Sequence, residues 1–98
     1  MTILLYYKYT PIELPEKFAY EHLKLCKSLG LKGRILIANN GINGTVGGTK
    51  AATDQYIEIM HANPNFKDME FKTSEGPETS FKKMFVRYRP ELVTMKYP

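Results

Sequence analysis

LKGRILIANNGINGTVGGT, from Leu31 to Thr49, decides how the chain folds. Aliphatic and β-branched residues run from Leu31 to Ala38, Asn39-Asn40-Gly41 interrupts them, and Ile42 to Val46 resumes the extended pattern. Asn and Gly accept the positive φ of tight hairpin turns, so the stretch predicts two antiparallel strands joined by a short turn. Gly47-Gly48 then leads into a helix with Thr49 as its N-cap, and Ala52, Tyr56, Ile59 and Met60 form the buried stripe. Asn63-Pro64 closes that helix. A glycine-rich entry to a helix N-terminus can hold an anion on its N–H groups. Lys50, however, follows Gly-Gly-Thr and has no Ser or Thr after it, which is not the spacing of a triphosphate-binding loop. Turn geometry is the use assigned to Gly47 and Gly48.

Upstream, Ile3 to Tyr9 reads as a first strand, apolar on both faces and therefore central, and Thr10-Pro11 stops it. From Leu14 to Leu29 the period becomes helical. Leu14, Phe18, Leu25 and Leu29 fall on one side, His22 and Cys26 lie at the edges of that stripe, and Gly30 ends the helix. Downstream, Met69 to Thr73 alternates apolar and charged residues as a fourth strand, and Ser74 to Ser80 is a loop. Met84 to Tyr88 is a further extended piece, which Pro90 interrupts before Leu92 to Met95. The order strand, helix, strand, strand, helix, strand predicts an α+β, ferredoxin-like βαββαβ sandwich. In it two helices cover one face of an antiparallel sheet and leave the other face available.

The 98 residues are 43% hydrophobic and 24% charged, which suits one globular domain and excludes a disordered or fibrous chain. The single cysteine, Cys26, allows neither an intrachain disulfide nor a cysteine-based zinc site, and it fits a reducing cytosol. The apolar opening is too short to span a membrane and lacks the marks of a signal peptide. A formal charge of +4 makes an anionic partner plausible without identifying it.

Cys26 has no cationic neighbour in sequence to stabilise a thiolate. His22, one turn earlier on the same helix face, has no third group to orient it, so both read as packing residues. His61, near a helix C-terminus, complements the helix dipole. The segment FKKMFVRYRPELVTM, from Phe81 to Met95, sets Lys82, Lys83, Arg87 and Arg89 around Phe85 and Tyr88. Cations interleaved with aromatics can neutralise phosphates and stack on unpaired bases, and they can equally protect an edge strand from aggregation. The strand Ile42 to Val46 has no aromatic residue, which disfavours an RRM-type stacking site.

The string GRILIANNGINGTVGGT, preceded by HLKLCKSLGLK and followed by RYRPELVTM, resembles the rhodanese-type tRNA uridine hydroxylases over essentially the whole chain. Members of that family are similar in placing an acylphosphatase-like, ferredoxin-fold domain ahead of a rhodanese domain. The loop cysteine of that second domain is needed for oxygen-dependent 5-hydroxylation of the wobble uridine. The resemblance implies that residues 1–98 are a single amino-terminal domain of a longer cytoplasmic protein, itself non-catalytic. It would have tRNA as partner together with the rhodanese domain, and neither DNA, membrane, metal nor cofactor of its own. Gly33, Arg34, Gly41, Asn43 and Gly44 carry the motif and are assigned a structural role, while Lys82, Lys83, Arg87 and Arg89 are the candidate RNA contacts. Two departures from the pattern stand out. Asn40 replaces the glutamate usual before the GING motif, and the 98 residues hold no rhodanese loop with a cysteine several residues before an arginine, so Cys26, which matches a helix position of the first domain, is not carried over as the catalytic cysteine. The rival readings are a freestanding acylphosphatase-like hydrolase and a purely structural domain packing on the rhodanese module. Against the first, the loop Tyr9 to Glu13 has neither the glycines nor the arginine of an anion cradle.

Overall fold

The computed structural model describes residues 1–92. Its elements are β1 (Thr2–Tyr9), α1 (Pro15–Ser28), β2 (Lys32–Ala38), β3 (Gly41–Gly48), α2 (Lys50–Ala62), β4 (Lys72–Glu75) and β5 (Met84–Arg89). The strands form one sheet in the order β4-β1-β3-β2-β5. Every neighbouring pair is antiparallel except β2 and β5, which are parallel, so the sheet is mixed where an antiparallel one was expected. The segment from Met84 joins as a fifth strand because Gly33 N–H reaches the Lys83 carbonyl at 2.9 Å and starts the pairing with β2. The continuation expected from Leu92 to Met95 lies, after Leu92, outside the described residues.

The helix-covered face carries the core. Leu4 and Tyr6 of β1, Ile35 and Ile37 of β2, and Ile42 and Val46 of β3 are buried there against Cys26, Tyr56 and Phe66. Alternation along each strand therefore sends the intervening residues to the opposite face. α1 ends as the sequence suggests: Leu31 N–H bonds the Cys26 carbonyl and Gly30 N–H that of Lys27, the paired bonds of a Schellman motif. Thr49 caps α2 by accepting from Ala52 N–H at 3.1 Å.

Four expectations need correction, the simplest being that Ile59, expected in the buried stripe of α2, is exposed while Thr53 is buried with Ala52, Tyr56 and Met60. In α1 the buried residues are Ala19, His22 and Cys26, whereas Leu14 is exposed, so the stripe is rotated and His22 and Cys26 occupy its centre. The reason is the polar atom beneath them: His22 Nε2 meets the Tyr56 hydroxyl at 2.7 Å, which a leucine could not satisfy. The fourth strand begins three residues later than expected. Met69 belongs to a turn, where its N–H bonds the Phe66 carbonyl and its own carbonyl pairs with His61 Nε2 at 2.8 Å. The Asn39-Asn40 turn does not use positive φ, since Leu14 is the one non-glycine residue with positive φ among those described. Its stability comes from elsewhere. The carbonyls of Asn40 and Asn39 accept Thr10 and Ile12 N–H at 3.0 Å each, and the Asn40 side chain accepts Leu92 N–H at 2.7 Å.

A candidate nucleic-acid interface on the open face

Strand register assigns the uncovered face row by row. One row runs Lys72, Leu5, Thr45, Arg34, Phe85 from β4 to β5. The next runs Tyr7, Asn43, Leu36, Arg87 from β1 to β5, and a third runs Tyr9, Gly41, Ala38, Arg89. Strands about 4.8 Å apart put some 14 Å between the β1 and β5 ends of a row, and successive rows lie about 6.7 Å apart. No aspartate or glutamate stands in these rows. Their β1 ends are exposed apolar or aromatic side chains, Tyr7 at 60%, Tyr9 at 52% and Leu5 at 48%. The β5 ends of the second and third rows are cations, and Arg87 lies over the Phe85 ring at 5.5 Å.

Three side chains bound this floor. Met1 and Phe81 pack over Gly47 at one end, and Leu92 packs against Gly41 at the other, leaving the Leu5 and Tyr7 rows open between them. Lys82 and Lys83 sit before β5 and, with Arg34, Thr45, Phe81 and Phe85, line an open groove of about 690 Å³. The four expected cations thus divide. Arg87 and Arg89 share the open face, while Lys82 and Lys83 border the groove at its far end and are joined there by Arg34. Sequence reasoning gave Arg34 a structural role, and the structure leaves its side chain exposed on this face. It missed Tyr7 and Tyr9 as surface residues because β1 is apolar at both parities, and nothing in such a pattern says which parity faces the helices.

Gly33, Gly44 and Asn43 of the motif lie within the sheet. Gly33 has φ +141°, and a Cβ there would lie 2.1 Å from the Thr45 carbonyl oxygen. Gly44 lies under Tyr6, whose ring carbon would be 2.5 Å from an added Cβ. Asn43 is half-buried in the floor between Tyr7 and Leu36.

Beneath the sheet, His22, Tyr56 and Tyr6 form a buried chain, with 2.7 Å between His22 Nε2 and the Tyr56 hydroxyl and 2.5 Å between the two hydroxyls. Burial lowers the His22 pKa to about 4 and raises that of both tyrosines. Cys26 is fully buried and its thiol is pushed up to about 12 by burial. His22 gives its Nε2 to Tyr56 and stacks its ring on Phe18 at 5.0 Å, so the two residues do not make a nucleophile and base. The loop after β1 offers no anion cradle either, because Thr10 and Ile12 N–H are committed to the β2–β3 turn. Among the described residues no group of three His, Cys, Asp or Glu is placed to hold a metal ion. No helix among them is long and apolar enough to cross a membrane.

Residues 1–92 match a family model described as the UPF0176 acylphosphatase-like domain. A protein of Bacillus licheniformis named tRNA uridine(34) hydroxylase is 58% identical over 94 residues, and one of the same name from Shouchella clausii is 61% identical over 94. Each alignment covers 96% of this chain and 29% of the relative, so the chain spans less than a third of the curated relatives it matches. Among solved structures, acylphosphatase from Bacillus subtilis superposes with a TM-score of 0.71 over 88% of this chain and 98% of that one. At 13% identity this likeness is one of fold.

Proposed function

The chain belongs to the UPF0176 acylphosphatase-like domain family, and from that membership we propose that it is the tRNA-positioning domain of a cytoplasmic tRNA uridine hydroxylase. In this reading the oxidation is carried by a rhodanese-type module elsewhere in a longer protein. The observation that supports it most is the identity of 58% to 61%, over nearly the whole chain, with proteins named for tRNA uridine(34) hydroxylation. The geometry is compatible: Arg87 and Arg89 on the open face, and Lys82 and Lys83 beside the adjoining groove, offer positive charge to a phosphate backbone.

The test is a titration of tRNA against the wild type and a variant with Lys82, Lys83, Arg87 and Arg89 changed to glutamine, at several salt concentrations. Four phosphate contacts give a slope of log affinity against log salt of about −3 to −4, and each contact removed flattens it by about one. Equal slopes for the two proteins would remove these side chains from the RNA site.

A further inference from the structure

We propose that the open face is a stacking platform for unpaired nucleotides, with Tyr7 and Tyr9 holding bases while the cations at the β5 side hold the backbone. The proposal rests on the tRNA reading above and deepens it from charge attraction to a choice between strand forms. The rings are exposed in rows whose other side chains are neutral or cationic, and the two carboxylates that line the pocket beside them are Asp68, paired with Lys8, and Glu70. Cations at the β5 ends of these rows suit the phosphates of a polyanion, and the exposed rings beside them suit its bases.

The rings are 6.2 Å apart with 80° between their planes, so one base cannot stack on both. Each ring therefore serves a different base. The Tyr7 row places a ring at the β1 end and a guanidinium at the β5 end, about 14 Å apart. Asn43, between them in the floor, presents a side-chain amide that can both donate to and accept from a base edge. Base faces inside a duplex are covered by their neighbours and cannot reach these rings, so the platform takes single-stranded RNA, such as a loop, in preference to a helical stem. The third strand supplies no ring, as its sequence indicates. The rings on this face come from β1 and, with Phe85, from β5.

The chain has no tryptophan, so its intrinsic fluorescence reports the tyrosines directly. A labelled RNA of about ten nucleotides, within the usual site size for such surfaces, is titrated alone and annealed to its complement. The expected results are quenching of tyrosine emission by the single strand but not the duplex, and a tighter complex with the single strand. Tyr7→Ala and Tyr9→Ala should each weaken single-strand binding roughly tenfold with the salt slope unchanged, and Tyr7→Phe should keep wild-type affinity. Arg87→Gln with Arg89→Gln should weaken single strand and duplex alike and flatten the slope. If the arginine changes act but the alanine changes do not, the stacking proposal falls and the charge reading stands. If neither set changes RNA affinity, both fall. Loss of self-association in place of RNA affinity, on removing either ring, would overturn the proposal in favour of a protein partner.

Discussion

His22 shows how a single residue sets a property of the fold. It is neutral when buried, with a pKa lowered from 6.5 to about 4 by burial, and its Nε2 faces the Tyr56 hydroxyl. Above pH 6.5 both folded and unfolded states hold it neutral, so it adds no pH dependence. As pH falls toward 4 the unfolded chain binds the proton first, and stability is lost across that window. Between pH 7 and pH 5 this amounts to about 2 kcal/mol. Urea unfolding at the two pH values should show that loss in the wild type and a clearly smaller one in His22→Gln, and equal losses would mean that His22 is protonated in the fold. Sequence alone put His22 and Cys26 at the edge of the helical stripe because leucine and phenylalanine outrank them in hydrophobicity. What a wheel cannot show is that the surface facing the centre of α1 carries a tyrosine hydroxyl. Tyr7 and Tyr9 illustrate the complementary limit: their position in a strand was legible, their exposure was not.

Elements were legible where local chemistry ends them and less so where distant partners decide. Thr49, Gly30 and Asn63 mark helix ends through bonds made within a few residues, and each behaves as its residue type predicts. β4 starts at Lys72 and not at Met69 because Met69 is buried in a turn and its carbonyl meets His61, a contact no alternation pattern contains. The attachment of β5 beside β2 was likewise invisible, because a parallel pairing across fifty residues has no local signature. Gly33 is the point where that pairing begins. Its φ of +141° is a conformation that side-chain-bearing residues rarely adopt, and its missing Cβ leaves room for the Thr45 carbonyl. Gly33→Ala should therefore cost at least about 3 kcal/mol in chemical denaturation, from backbone strain and overpacking together. Amide exchange should accelerate along β5 before the rest of the sheet, because Gly33 N–H anchors the start of that strand on the Lys83 carbonyl. A variant as stable as wild type would show that the turn into β2 can shift without loss.

The molecule as a whole divides its labour between two sides of one sheet. The helix-covered side buries the polar chain of His22, Tyr56 and Tyr6 together with the thiol, and the open side presents rings and cations. Surface chemistry is thus available for binding, while the His22 ring, the Tyr56 and Tyr6 hydroxyls and the Cys26 thiol are buried. Cys26 is fully buried with its thiol pushed up to about 12, so at neutral pH roughly one molecule in a hundred thousand carries the reactive thiolate. Two outcomes follow for the 98-residue chain. In the folded state Cys26 should not react with an aromatic disulfide reagent over the time in which the same protein in denaturant reacts completely. Incubated with unmodified tRNA under oxygen, the chain should yield no 5-hydroxyuridine by mass spectrometry above a no-protein control, even at RNA concentrations where binding is measurable. Binding without turnover is the behaviour of a positioning domain. Product above the control would place chemistry on this domain, and if Cys26→Ser abolished that product the buried thiol would have to become accessible during the reaction. Product that survived the same substitution would point instead to a group on the open face and would reverse the division of labour between the two sides.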